Sequence, residues 1–322
     1  MNETTETSRK EKLKALTERL EHGIQSVFES ERYREYLSVM GRFHSYSMNN
    51  TLLILEQKPD ASYVASYNTW KSLGRNVKKG EHGIQIFAPC VRKKMEDVEI
   101  WDPKTGMPRR TADGQVMKEQ KEVSYTYFHP ATIFDISQTE GKPLPELTTE
   151  LQGQVPEYER FFDALEKASP VPIRFDEWSS RRKGYYDLIK QEIVIKAGMS
   201  EPQNIKTAVH EMAHSILHKD RNHVKDSVSM EIEAESVAYV VCQHYGLDTS
   251  EYSFGYLAGW SSSETMPELK ASLQRIQQTS HDLIDRLDRN LFLSTNHLDI
   301  SDTMDSLQEK ISASHGISHH RR

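Results

Sequence analysis

A chain of 322 residues with a formal net charge of -7 is long enough for two domains and too acidic to wrap nucleic acid over its whole surface. Its two cysteines, Cys90 and Cys242, lie far apart and form no CxxC pair, which excludes a disulfide framework and a thiolate metal cluster. The N-terminus "MNETTETSRKEKLKALTERL" has no apolar signal core, and no apolar run approaches the roughly 20 residues of a membrane span, so the sequence reads as a soluble cytoplasmic protein.

Apolar positions recur at three- and four-residue spacings in "LKALTERLEHGIQSVF", "YREYLSVMGRF" and "NNTLLILEQ", so residues 11–57 are expected to be helical. "NVKKGEHG" then reads as a basic turn leading into the strand "IQIFAP". Lys93 to Lys121, with "DPKTGMP" and "TADGQ", has turn chemistry and little apolar content and is expected to be an exposed hairpin or loop. A second strand pattern follows in "EVSYTYFHPATIFDI". Residues 141–156, "GKPLPELTTELQGQVP", hold three prolines and no periodicity, which places a domain boundary there: 1–150, then 151–300, then a poorly ordered tail over 301–322. Beyond it come the helix "PEYERFFDALEKA", strand patterns in "VPIRFDEW" and "YYDLIKQEIVIKAG", and the helix "SEPQNIKTAVHEMAHSILH", with Ser200 as N-cap and Gln203 closing a capping box. Further helices are expected over about 229–246 and 266–292. The fold class is α+β in both halves.

The chemistry concentrates in "TAVHEMAHSILH", residues 207–218. Residues four apart share a helix face, so His210 and His214 can grip one metal ion through their imidazoles, while Glu211 projects about 100° away, close to the ion without ligating it. That is the H-E-x-x-H arrangement, in which the carboxylate acts as general base. His218 lies about 12 Å along an unbroken helix from His210, too far to share an ion bound at roughly 2 Å, and is expected to be solvated or locally hydrogen-bonded. The third ligand must come from another element. "SMEIEAESVAYVVCQHYG" offers Glu231 and Glu235 on one helix face beside small residues; Glu231 is assigned as ligand and Glu235 as the acceptor for a ligand histidine's free N–H, the alternative being the reverse assignment of the two glutamates. A divalent cation, zinc first, suits this donor set.

Between Lys71 and Lys94, seven basic residues (Lys71, Arg75, Lys78, Lys79, Arg92, Lys93, Lys94) stand against one acid, Glu81, a net of +6. Tyr63, Tyr67, Trp70 and Phe87 lie among or beside them. Cations for phosphates and rings for bases are the ingredients of a single-strand surface, although by composition alone such a run is an ordinary solvated face.

The stretch "YSMNNTLLILEQKPDASYVASYNTWKSLGRNVKKGEHGIQIFAP", followed by "ATIFDISQTEG", resembles the N-terminal domain of the ArdC-type antirestriction proteins of conjugative elements. The HExxH and "EIEAESVAYVVC" are similar to that family's zincin-type metallopeptidase domain and to the ImmA/IrrE peptidases. The resemblance covers most of residues 40–245. It implies a single-stranded-DNA-binding domain joined to a metallopeptidase-like domain, in a mobile element whose DNA is protected from host restriction. Matched position by position, it implies His210, Glu211, His214 and Glu231 in the metal domain, and Trp70, Lys71, Arg75, Lys78 and Lys79, with Tyr67 beside them, at the DNA surface. The region about 95–120 and the helices beyond Trp260 match no family motif; an element-specific partner is expected there.

For catalysis, the strand "EIVIKAG" is expected to pair with an extended substrate, and Tyr185, Tyr186 or His223 to stabilise the oxyanion. The alternative function is site-specific cleavage of a repressor or another host or element protein. A duller alternative is a scaffold whose domains only bind partners.

Overall fold

The computed structural model describes residues 3–28, 30–143, 155–219, 227–247, 257, 260–261 and 264–295. The expected boundary region, His223 and the tail therefore fall wholly or largely outside the described residues. Three helices open the chain: α1 (Glu3–Ser26), α2 (Ser30–Arg42) and α3 (Met48–Gln57). On α2, Tyr33, Tyr36, Leu37 and Met40 recur at helical spacing and are fully buried. Helix α3 starts where the Ser47 hydroxyl accepts the Asn50 N–H, and Leu52 to Leu55 are all buried.

The strands β1 (Val64–Ser66), β3 (Ile84–Glu99) and β4 (Lys118–Asp135) form an antiparallel sheet in the order β1-β4-β3, with α4 (Tyr67–Ser72) and β2 (Arg75–Val77) between β1 and β3. Strand β5 (Thr139–Gly141) pairs with β2 in a separate two-stranded sheet. The β3–β4 pairing runs from Ile84↔Ile133 to Glu99↔Lys118, so the strands extend well past the expected "IQIFAP". Only the base of this ribbon meets the core: Ile84, Ile86 and Ile133 are buried, whereas Val91, Met95, Tyr125 and Phe128 are exposed. Backbone pairing continues where apolar patterning stops, which is why sequence periodicity under-reads it.

The second half contains α5 (Val155–Ala168), β6 (Ile173–Asp176), β7 (Gly184–Asp187), β8 (Glu192–Lys196), α6 (Glu201–Leu217), α7 (Ser227–His244) and α8 (Met266–Thr295). The sheet order is β6-β8-β7, with β6 parallel and β7 antiparallel to β8. "EIVIKAG" is therefore a central strand with both edges occupied, and its Ile193, Val194 and Ile195 are fully buried. It cannot pair with a substrate; among the described residues, the sheet edges belong to β6 and β7, and of these β7 supplies Gly184 and Tyr186 to a cleft. The expected capping box does not form either. Ser200 is the N-cap but makes no side-chain cap bond, because Gln203 instead accepts from Lys183 Nζ at 2.6 Å and donates to Thr207 Oγ1 at 3.1 Å.

One buried cluster joins both halves. Helix α2 packs on α7 closely enough that a Cβ at Gly41 would stand 3.0 Å from the Val240 carbonyl, and the Tyr33 hydroxyl bonds Ser236 Oγ at 2.8 Å. The helix that carries Glu231 and Glu235 is thus held by the N-terminal half. Among the described residues no helix is long and apolar enough to cross a membrane.

Candidate metal centre and nucleic-acid surface

Helix α6 buries Ala208, Val209, Met212 and Ala213 against the core, which turns His210 and His214 toward a cleft of about 590 Å³. There His210 Nε2 lies 3.1 Å from His214 Nε2, and Glu231 brings its oxygens to 3.4 Å from each of those nitrogens. Two ligand atoms on a tetrahedral ion with bonds of about 2 Å are separated by about 3.3 Å. The three edges match that spacing, and two imidazoles with a carboxylate are the donor set of a divalent ion site. The residues present therefore fit such a cation.

Glu235 stands one turn after Glu231, with Oε2 3.2 Å from His210 Nδ1 and its other oxygen 3.6 Å from Lys206 Nζ. It meets the His210 ring at the nitrogen opposite the one that faces His214 and Glu231. His214 has its own outer chain, which sequence reasoning missed. Its Nδ1 lies 3.0 Å from His218 Nδ1, and His218 Nε2 lies 3.1 Å from Glu233 Oε2. Glu233 is fully buried and takes further bonds from Ser272 Oγ at 2.5 Å and Arg275 Nη2 at 2.6 Å, both on α8. His218 caps α6 rather than extending it, so it can fold back on His214. The only sequence signal for this chain is a four-residue His repeat; the partners lie 15 and 42 positions from their contacts.

Burial pushes the His210 imidazolium toward losing its proton, but the bonds to Glu231 and Glu235 outweigh it and hold its pKa up to about 9. The same histidines hold the Glu231 carboxyl well below the usual carboxylate range, against the cost of burial. Glu211 is 8% exposed, and burial raises its pKa although His210 and His214 pull the other way. Gly184 on β7 permits this closeness: a Cβ there would meet Thr207 Cγ2 at 2.5 Å and Glu211 Cγ at 3.4 Å. Tyr186 lines the cleft, whereas Tyr185 sits under the Arg182 guanidinium, 4.8 Å from its ring centre, and beside Trp178. Strand alternation separates the two tyrosines. Arg182, a cation on the cleft wall that also donates to the Gly184 carbonyl, was not singled out by the sequence.

The N-terminal motif residues divide into scaffold and surface. Trp70 is fully buried, donates Nε1–H to the Phe134 carbonyl at 2.8 Å and packs edge-on to Tyr63. It offers no face to a base, which corrects its expected place at the DNA surface. Arg75 donates to Thr139 Oγ1 at 2.8 Å and to the carbonyls of Thr139 and Lys142, clasping β2 to β5. Lys78 Nζ bonds the Ser137 carbonyl at 2.8 Å. Tyr67, Lys71, Lys79 and Lys78 itself remain exposed. The other motif elements are equally architectural. Asn50 exchanges two 2.9 Å bonds with the Phe87 backbone, and Gln138 ties Glu81 and the His82 carbonyl to the Asp135 N–H. Gly141, at φ +138°, passes so close to Gly74 that a Cβ would lie 2.4 Å from its carbonyl oxygen. On one face of the β3–β4 ribbon, Arg92 opposes the exposed ring of Tyr125 and Cys90 that of Tyr127. The pairing sets two tyrosine rings, which the sequence did not single out, beside Arg92 of the basic run.

Two parts of the chain match known families. Residues 8–134 match the N-terminal domain of anti-restriction factor ArdC, and residues 170–245 match the IrrE N-terminal-like domain of a peptidase family. An uncharacterized protein of Bacillus anthracis is 29% identical over 312 residues, covering 88% of this chain and 52% of that protein. The chain thus spans about half the length of this curated relative. Two crystal structures of the antirestriction ArdC protein from plasmid R388 are similar. The metal-free one has 23% identity and a TM-score of 0.45, covering 77% of this chain and 86% of that one. The Mn(II)-bound one has 20% identity and a TM-score of 0.47, covering 84% and 97%.

Proposed function

From an ArdC-like chain that joins an ArdC-type N-terminal domain to an IrrE-type peptidase-like domain, we propose an antirestriction-type protein of a mobile element that binds single-stranded DNA and carries a divalent-metal peptidase centre. The observation that carries the reading is the convergence of His210, His214 and Glu231 on one point beside the buried Glu211. A divalent ion held by those three residues, zinc being our assignment, supplies Lewis acidity toward water and a substrate carbonyl. Glu211 accepts the proton of the attacking water and later gives it to the leaving amine; burial raises its pKa and so suits it to both roles. Glu235 and the His218–Glu233 chain hold the two imidazoles in fixed orientation. The open edge of β7 lies along the cleft and aligns an extended peptide, with Tyr186 and Arg182 on the wall as candidates for steadying the oxyanion.

Single-stranded DNA is assigned to the surface of Tyr67, Lys71 and Lys79, with Lys78 at its margin. Fluorescence anisotropy against matched single-stranded and duplex DNA over a salt series tests this. Salt-dependent, single-strand-preferring binding is expected, weakened when Lys71, Lys78 and Lys79 are replaced by alanine and retained in Glu211→Gln. Unchanged affinity in the triple variant removes DNA from this surface. The free β7 edge favours a second reading, cleavage of a repressor or another host or element protein. Co-expressed substrate should then be cut by wild type and left intact by Glu211→Gln with its metal content unchanged; continued cleavage in that variant defeats the mechanism.

A further inference from the structure

Where α2 ends, a second group of metal-type ligands gathers that none of the family motifs includes. His44 follows α2; His281 and Asp285 stand one turn apart on α8. The carboxylate oxygens of Asp285 lie 3.6 Å from His44 Nε2 and 3.6 Å from His281 Nε2, and one ligand atom from each residue lies within 4.8 Å of the others. His44 Nε2 is buried and has no hydrogen-bond partner, since 3.6 Å is too long for one. A buried imidazole nitrogen left in that state costs free energy. The same distance is close to the edge of a coordination tetrahedron, about 3.3 Å.

The surroundings hold His44 in place. Gln277 on α8 donates to the carbonyls of His44 and Tyr46, at 3.2 and 2.9 Å. His244, at the end of α7, stands edge-on to the His44 ring with centroids 4.7 Å apart, and bonds the Gly41 carbonyl through Nδ1 at 2.8 Å. His44 and His281 are each 12% exposed and Asp285 is 40% exposed, so the ligands are walled by protein on one side and open to water on the other. That leaves a path for an ion and a position for a water ligand. Two neutral imidazoles and one carboxylate carry a net charge of -1, which a divalent ion overcompensates by one unit. Imidazole-rich donors favour zinc-type transition ions over magnesium or calcium.

We infer that His44, His281 and Asp285 form a second, structural site for a zinc-type divalent ion, which staples the C-terminal helix α8 to the end of α2. It is separate from the centre on α6. His244 packs against it from a position 13 residues after Glu231 on the same helix, about 20 Å along the axis, so no ion can be shared.

Metal-stripped full-length protein would be equilibrated with Zn(II), freed of loose ion by gel filtration and assayed for zinc per chain; Co(II) absorption reports the ligand field in parallel. Wild type is expected to hold two equivalents. His44→Gln and Asp285→Asn should each drop to one, His210→Gln/His214→Gln should also keep one, and the combined variant should hold none. The retained ion in His210→Gln/His214→Gln should raise the thermal midpoint, and that shift should vanish when Asp285→Asn is added. Asp285 is the more exposed ligand, so its near-isosteric replacement decides the matter if His44→Gln folds poorly. Two equivalents retained in Asp285→Asn, or none in His210→Gln/His214→Gln, overturns the inference. Because the two sites are removed separately, failure here leaves the proposed peptidase centre standing.

Discussion

Glu235 gives the sharpest test of how the first metal centre is held. It neither ligates nor touches the reacting atoms; it accepts from His210 Nδ1 at 3.2 Å and is partly neutralised by Lys206, 3.6 Å from its other oxygen. Removing an outer carboxylate of this kind costs about 10- to 100-fold in metal affinity, roughly 1.4 to 2.7 kcal/mol. Glu235→Ala should sit near the upper end, because it also leaves the half-buried Lys206 ammonium facing the imidazole. Glu235→Gln keeps an acceptor oxygen and should sit near the lower end. Glu231→Ala, which removes a ligand, should lose more than either. Competition with a chromophoric chelator measures all three. The pH dependence adds a signature. With its pKa up at about 9, His210 must shed a proton to coordinate, so wild-type affinity rises with pH below about 9, by roughly tenfold per unit from this group. Without Glu235 the imidazole pKa falls, and the slope near neutrality should flatten. Affinity within twofold of wild type in Glu235→Ala, with the slope unchanged, refutes the assignment. The ion-free protein carries the matching stability term. A raised histidine pKa stabilises fully below its unfolded value of 6.5, and that contribution is lost as pH rises through about 9.

Trp70→Ala should destabilise the protein by about 3–5 kcal/mol in urea titrations, whereas Tyr67→Ala should leave stability within about 0.5 kcal/mol and weaken DNA binding. Loss of DNA affinity in a folded Trp70→Phe protein, with none in Tyr67→Ala, reverses the division between scaffold and surface. Gly184→Ala drives a methyl group toward Thr207 Cγ2 and should cost about 1–3 kcal/mol, partly recovered by adding Thr207→Ser; absence of that coupling in a double-mutant cycle denies the close approach. Burial pushes the Asp135 carboxyl up, but the N–H groups of Ser137, Ser62 and Tyr63 outweigh it and hold its pKa below 3.8. Its contribution is therefore present above pH 3.8 and is lost as pH falls through the lower folded value. Asp135→Asn should remove that acid sensitivity at a cost of about 1–3 kcal/mol at neutral pH, checked by urea titrations across pH.

Helical repetition is a local property, and what rests on it was legible in the chain. The four-residue spacing of His210 and His214, the apolar stripe that turns them outward, and the pairing of Glu231 with Glu235 all follow from 3.6 residues per turn. So did the helical opening and the α8 pattern. Everything that depends on which distant segment meets which was decided by tertiary structure. Whether Trp70 faces solvent depends on Phe134, 64 positions away, and whether β8 is an edge depends on β6 and β7 closing on both sides of it. His218 looked spare until Glu233, itself held by Arg275, reached it, and His44 until α8 brought Asp285 beside it, 241 positions later in the chain. The ligand types are written in the sequence, but their convergence comes from packing. Buried groups seek partners wherever the core brings them, and no local period encodes that distance.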